Sequence, residues 1–348
     1  MAGSCVPATL DGFDAVLTRH GFAALGGENA AGVSGVVTPV GADELARLDY
    51  FAGATGASRR EMSVRLDDGT MMHALCYTSD DGADGAWNFE QWEANWAPAV
   101  RSAVAVIMAG FGNRPSSDMR RSLPQIMVRA ASWARAQREV TPAHVRTPYG
   151  SADVESLSNN RPYLDFFTLE EQDLRFRRFD GNFSDVVKRA AFVSGDAVTV
   201  LPYDPVRDRV LVIEQFRFGP LVRGDRRPWS IEPIAGRVDP GESPEDCARR
   251  EAVEETGLAL QDLIPIGNYY PSPGAVSEYL FSFLAMADLP DDVTGIGGLD
   301  DEAEDIRSIL LSFDALMDML TTGEAQNGPL ILSALWLKSE RDRLRASA

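Results

Sequence analysis

One stretch, from Gly236 to Leu258, constrains this chain more than any other. It reads Gly236, five residues, Glu242, seven residues, then Arg250-Glu251-Ala252-Val253-Glu254-Glu255-Thr256-Gly257-Leu258. Its local chemistry predicts a helix from about Pro244 to Thr256. Ser243 is a good N-cap, Pro244 suits the first helical position, and Asp246 stands at N3 as in a capping box. Gly257 fits the left-handed position that ends a helix. At about 100° per residue, Glu251, Glu254 and Glu255 fall on one arc, while Cys247 and Val253 lie off it and are expected to face a core. Three carboxylates on one arc repel one another, and like charges at i,i+4 destabilise a helix. Hard oxygen ligands of this kind suit Mg²⁺ or Mn²⁺, cations that also bind substrate phosphates. Arg250, just before the cluster, is placed to pair with a carboxylate of the preceding loop and orient it.

The rest of the chain sets this helix in a larger frame. At about 100–200 residues per domain, 348 residues predict two domains. With 45% hydrophobic residues, each can bury a core. Lys and Arg number 33 against 52 Asp and Glu, a net charge of −19 that repels nucleic acid and anionic membrane. A phosphorylated substrate stays compatible with that charge, because local arginines and cations reverse the sign inside one pocket. Cys5, Cys76 and Cys247 show no CxxC spacing and predict a reducing compartment. Met1 to Leu10 lacks a signal-peptide pattern, and no apolar run reaches the roughly 18 residues of a membrane span, so a cytoplasmic protein is expected. His20, His73 and His144 form no spaced ligand set.

Strands are predicted at Val36–Val40, Glu61–Leu66 and Met72–Tyr77, the last two joined by an Asp67-Asp68-Gly69-Thr70 hairpin. Helices are predicted at 43–50, 89–110 and 116–138. A Pro-, Gly-, Ser- and Asn-containing stretch at 139–162 reads as a linker, giving domains at 1–145 and 160–348. Beyond it, strands are expected at Leu174–Phe179, Ala197–Leu201, Val210–Glu214 and 278–286. An acidic loop follows at 291–305, then helices at about 313–322 and 328–345. Mixed strands flanked by helices imply an α+β or α/β/α layered domain.

The Gly236–Leu258 stretch is similar to the Nudix box in every fixed position. Only Ala252 departs from the pattern, standing where a larger aliphatic residue is common. The resemblance covers about 165–345 and, within the superfamily, is to bacterial ADP-ribose pyrophosphatases. Glu214-Gln215-Phe216-Arg217 resembles their substrate strand, and Glu232-Pro233-Ile234-Ala235-Gly236 their entry to the box. Pro273 in Ser272-Pro273-Gly274 falls where that subfamily keeps a proline, and Asp301-Glu302-Ala303-Glu304-Asp305 resembles their acidic loop. This resemblance implies an α+β fold whose C-terminal domain is a Nudix α/β/α sandwich with a mixed sheet. It implies Mg²⁺-dependent hydrolysis of ADP-ribose (Mn²⁺ being the other candidate cation). Glu251, Glu255, Glu304 and the carbonyl of Ala235 would ligate metal, with Glu254 adjoining. Glu302 would orient or deprotonate the attacking water. Arg217, Glu232, Pro273 and Gly274 would contact the substrate; Tyr269, Tyr270 and Phe218 are candidates for an adenine stack, though aromatics at such positions more often belong to a core. The resemblance also implies a homodimer, with residues 163–185 as candidates for the interface. Hydrolysis of another nucleoside diphosphate sugar, such as GDP-mannose, and a non-catalytic Nudix-fold ligand sensor are the alternatives.

Residues 9–80 resemble a small β-barrel-like gamma-glutamylcyclotransferase-type fold, through Glu44–Phe51, Arg59-Arg60, Val64, Gly69 and Ala74–Tyr77. The family's Glu is replaced by Ala52, and its opening strand and Tyr-Gly loop are missing, so a non-catalytic module is expected. A two-domain bacterial family associated with tellurite resistance has this combination.

Overall fold

The computed structural model describes residues 5–79, 83–260, 262–299 and 304–347, without the side chains of 27–31 and 83–84. The chain divides into two compact units, Met1–Ser194 and Gly195–Ala348.

The first unit opens with β1 (Val6–Thr18) and β2 (Ala23–Val37), a long antiparallel hairpin interrupted by bulges. Helix α1 (Ala42–Thr55) follows and is ended by Gly56 in the left-handed region. Strands β3 (Ala57–Leu66), β4 (Met71–Ser79) and β5 (Ala83–Ala86) complete a sheet in the order β2-β4-β3-β1-β5. Because β1 also pairs with β2, four of these strands close into a barrel. The opening strand expected to be missing is therefore present as β1. Gly12 and bulges break its two-residue alternation, which hides it from a periodicity reading.

Two helices expected as single pieces are each broken near a proline. The first becomes α2 (Phe89–Asn95) and α3 (Ala97–Ala109), the second α4 (Ser116–Arg121) and α5 (Leu123–Ala136). Pro98 and Pro124 cannot donate to the carbonyl four residues back. The Ala94 carbonyl, which an N–H at position 98 would have met, accepts instead from Arg138 Nη2 at 3.0 Å. Ile107, Met119, Leu123, Ile126 and Met127 build the core of this helical part. The stretch proposed as a linker is irregular only in its first half, where Val140 is 93% and Val145 97% exposed. From Val154 it is already strand. β6 (Val154–Leu164), β7 (Thr168–Phe176) and β8 (Val187–Val193) form an antiparallel sheet. Leu164 packs on the helical core, and its carbonyl lies 3.4 Å from the Ser122 hydroxyl.

The second unit is built on β9 (Asp196–Asp204) and β10 (Arg209–Phe216), followed by α6 (Phe218–Arg223), β11 (Trp229–Glu232), β12 (Ile234–Arg237) and α7 (Pro244–Thr256). Then come β13 (Leu263–Tyr269), β14 (Tyr279–Met286), β15 (Ile296–Gly297), β16 (Ile306–Ser312), α8 (Phe313–Thr322) and α9 (Gly328–Ala346). The main sheet runs β13-β14-β9-β10-β16-β15, with β11 on β10 and β12 on β9. It is mixed: β14 and β9 are parallel, while the other neighbours are antiparallel. Strand alternation divides the side chains between two cores. Val198, Val200, Leu211 and Ile213 face α7. Leu201, Tyr203, Val210 and Val212 face α8 and α9. The result is the expected α/β/α sandwich. No helix among the described residues is long and apolar enough to cross a membrane.

Candidate active site

Helix α7 begins and ends where its caps dictate. The Ser243 hydroxyl accepts the Asp246 N–H at 3.1 Å. Gly257, at φ 70°, donates to the Val253 carbonyl, and Leu258 donates to that of Ala252. The face on the sheet is Cys247, Ala248 and Ala252, all fully buried. Ala252 thus fills its place on the sheet without a larger side chain. Val253, expected to face the core, is instead 53% exposed. The buried stripe is centred on Ala248 and Ala252, and one residue further turns Val253 out.

Arg250 organises the polar side. Its Nε and Nη2 donate to the two oxygens of Glu242 at 3.0 and 3.1 Å, the loop pairing expected from the sequence. Nη2 also reaches the Arg237 carbonyl at 3.1 Å, and Nη1 holds Glu251 Oε1 at 2.8 Å and Glu254 Oε2 at 2.9 Å. Burial works against its charge, but the Glu242 and Glu251 carboxylates more than offset that and raise its pKa. One guanidinium therefore ties the β12–α7 loop to the helix and aims two of the three clustered carboxylates.

Glu255 points inward and is only 2% exposed. The Ala235 N–H donates to its Oε2 at 3.3 Å. In an extended strand a residue's N–H and C=O point the same way, so the Ala235 carbonyl is turned to the Glu255 side. Burial first, then the charge of Glu251, pushes the Glu255 carboxyl up to about 9. Burial likewise pushes Glu251 up to about 7 against the pull of Arg250. Glu304 adds repulsion to both. Gly236 permits this packing: a Cβ there would overlap the Glu251 carboxylate and lie 2.5 Å from its Cγ.

Arg217 and Glu232, expected to contact substrate, pair with each other across β10 and β11. Arg217 Nη2 lies 2.7 Å from Glu232 Oε2, and its Nε bridges both carboxylate oxygens at 3.2 and 3.1 Å. Burial disfavours the Arg217 charge, but Glu232 reverses this and raises its pKa, with Glu255 and Glu304 adding to the effect. The pair thus lies within the field of the acidic cluster. Pro273 and Gly274 sit in an exposed turn held by the Ser272 carbonyl, which accepts from Ala275 and Val276. The described contacts do not join that turn to the carboxylates. Among the candidates for an adenine stack, Phe218 and Tyr270 are exposed, while Tyr269 accepts a hydrogen bond from Ser282. Glu302 lies outside the described residues. Glu304 is described, with its Oε2 3.4 Å from the Leu299 N–H.

Sequence reasoning named Gln215 within the Glu214–Arg217 stretch but gave it no role. It is 5% exposed, two positions before Arg217, and its Nε2 has no hydrogen-bond partner among the described residues. Its signal was a second polar residue, after Glu214, near the end of a strand whose centre is apolar.

Among the described residues, no three acidic, His or Cys side chains converge closely enough to enclose a metal ion. The donor chemistry nevertheless fits a hard dication. Buried carboxylate oxygens opposed by their own neighbours, beside a strand carbonyl, lose that repulsion when a cation is bound. In the first unit, a cavity of about 400 Å³ is lined mainly by aliphatic side chains such as Leu10, Leu25, Val36 and Leu48, with His73 and Tyr77 the larger polar groups. Ala52 does not line it.

A family model described as NUDIX domain matches residues 193–333, and one described as gamma-glutamyl cyclotransferase, AIG2-like, matches 2–96. ADP-ribose pyrophosphatase from Escherichia coli (strain K12) is 36% identical over 204 residues, covering 59% of this chain and 97% of the relative. The chain belongs to the Nudix hydrolase family. ADP-ribose pyrophosphatase from Haemophilus influenzae is 33% identical, over 57% of this chain and 92% of its own length. GDP-mannose pyrophosphatase from Escherichia coli (strain SMS-3-5 / SECEC) is 33% identical, over 50% and 89%. A solved structure titled as an ADP compounds hydrolase is 24% identical, covering 54% of this chain and 96% of its own, at a TM-score of 0.42. That likeness is too distant to add to the sequence relatives. This Nudix chain is accordingly a hydrolase of pyrophosphate bonds that works with a divalent cation.

Proposed function

We propose that the chain hydrolyses ADP-ribose, water adding to one phosphorus as the P–O–P bond breaks, to give AMP and ribose 5-phosphate. The observation that carries this reading is the match to an ADP-ribose pyrophosphatase along 97% of that relative's length. The carboxylate set around Arg250 lies within residues 193–333, which the NUDIX model matches.

In this reading Glu251, Glu255, Glu304 and the Ala235 carbonyl hold Mg²⁺, or Mn²⁺, with Glu254 beside them. The cation supplies Lewis acidity and offsets charge on the attacking and leaving oxygens. Arg250 keeps Glu251 and Glu254 aimed. Glu302 orients the attacking water and takes its proton. The Arg217–Glu232 pair, with Pro273 and Gly274, positions the substrate. The relatives' similarity spans 59% of the chain, more than Gly195–Ala348 supplies, so the functional Nudix module takes in strands before Gly195. We place the modules at 1–145 and 160–348. We place the first module outside catalysis. We place residues 163–185 at an interface with a second copy, and the exposed Phe166, Phe176 and Phe179 in that segment support the pairing.

The test is AMP release from ADP-ribose with Mg²⁺, alongside GDP-mannose, ADP-glucose and NADH, with Glu255→Gln as the inactive control. The GDP-mannose pyrophosphatase relatives support the second reading, and preferential turnover of GDP-mannose would replace the first.

A further inference from the structure

We propose that Gly297 and Gly298 clamp the stem of the acidic loop onto the C-terminal end of α7, and so position Glu304 against Glu251 and Glu255. This rests on the hydrolase reading above and adds to it a positioning role for two residues that touch neither substrate nor cation.

The stem is short. Ile296 pairs with Arg307 and Gly297 with Ile306. Below it the Gly295 N–H donates to Ser308 Oγ at 2.8 Å, and the Ser308 N–H returns to the Gly295 carbonyl at 3.0 Å. Gly297 lies against the last turn of α7. A Cβ there would overlap the Glu255 carbonyl oxygen and stand 2.7 Å from its carbonyl carbon. That neighbour is backbone and cannot rotate away. Gly298 adds a bond, its N–H donating to the Glu254 carbonyl at 3.2 Å, which satisfies one of the acceptors a helix end leaves open. Gly298 has φ +101°, and a Cβ on it would come within 2.8 Å of the Glu304 Cβ. Glu304 closes the loop by donating its N–H to the Leu299 carbonyl at 3.2 Å.

This contact is needed because electrostatics opposes it. Glu304 shares its surroundings with Glu251 and Glu255, and the C-terminal end of α7 carries the negative pole of the helix. Like charges would drive the loop off the helix. Two residues without side chains let backbone meet backbone, and that close approach holds the stem in place without a cation. Gly295, two residues before Gly297, marks the contrast, since a Cβ there meets nothing within 4 Å.

The experiment is a double-mutant cycle between Gly297→Ala and Glu304→Gln in the full chain. It is read by Mn²⁺ binding to the protein alone (paramagnetic resonance of free Mn²⁺) and by kcat and KM on ADP-ribose. Expected are a loss of about tenfold or more in Mn²⁺ affinity and in kcat for Gly297→Ala, with KM changed less than about threefold. The double variant should be no worse than Glu304→Gln, because coupled sites are non-additive. Gly295→Ala should match the native chain. If Gly297→Ala does not fold, Gly298→Ala enters the same cycle with the same expectation. Additive effects, or native Mn²⁺ affinity in the glycine variant, would overturn the clamp. Non-additive Mn²⁺ binding without ADP-ribose turnover would uphold the clamp and remove the substrate reading. Turnover with additive effects would remove the clamp alone.

Discussion

Arg250 donates to Glu242, Glu251, Glu254 and the Arg237 carbonyl at once. A lysine carries the charge but not the planar fork. Arg250→Lys is expected to lower kcat about 10- to 100-fold and to destabilise the chain by about 1–3 kcal/mol, as loss of charged hydrogen bonds does. Steady-state kinetics and denaturant melts check both. Gly236→Ala should displace the Glu251 carboxylate and lower kcat more than it raises KM, and equal changes in the two would contradict the packing described. Glu255 bears on pH. Its folded carboxyl is pushed up to about 9 from the usual 4.5, so without a cation the unfolded chain ionises first. Stability conferred by the protonated form is complete below about 4.5 and is lost as pH rises towards 9. Melting temperatures in chelator should therefore fall between pH 6 and 8.5, and fall less in Glu255→Gln. Mg²⁺ should restore the native chain most at the higher pH.

At the scale of elements, the β9–β10 turn is fastened to α9. Asp208, the only non-glycine residue with positive φ among those described, accepts the Tyr203 hydroxyl at 2.8 Å and pairs with Arg341 and Arg345. The Arg341 bond, chiefly, holds its carboxyl below the usual range. That stabilisation is present above the ordinary carboxylate pKa and is lost as pH falls through the lower folded value. Asp208→Ala should cost about 1–3 kcal/mol, since the arginines are partly exposed and a β-carbon residue without a polar end tolerates positive φ poorly. Asp208→Asn, which tolerates that φ, should cost less. Acid melts should separate the two from the native chain. The elements also show where periodicity is informative. Ala197–Leu201 and Val210–Glu214 were legible because buried central strands are continuous apolar runs. The hairpin of β1 and β2 was not, because its bulges shift the alternation. The helix breaks at Pro98 and Pro124 were legible in principle, each being a proline inside an otherwise helical run.

For the whole molecule, the barrel of the first unit keeps its closed sheet, while the resemblance drawn from the sequence sets Ala52 where the family has its Glu. Ala52 is 6% exposed, so Ala52→Glu would bury a charge. It is expected to destabilise the chain by several kcal/mol, on the order of 2–5, and to confer no cyclotransferase activity. Melting curves and release of 5-oxoproline from gamma-glutamyl substrates test this. Any such release by the native chain would show that the first unit retains chemistry.

What the sequence by itself determined is local. Ser243, Pro244 and Gly257 set the ends of α7, and the spacing of Glu242, Arg250, Glu251, Glu254 and Glu255 placed their side chains within reach of one another. Caps and helical periodicity act over a few residues, so they are written in consecutive letters. Tertiary structure alone decided that Arg217 meets Glu232, that Val253 turns outward, that Glu255 is buried on Ala235, and that Gly297 touches the end of the helix. Each of these depends on which strands pair, and in what register. That choice is made by burial over the whole sheet, and a segment read alone does not contain it.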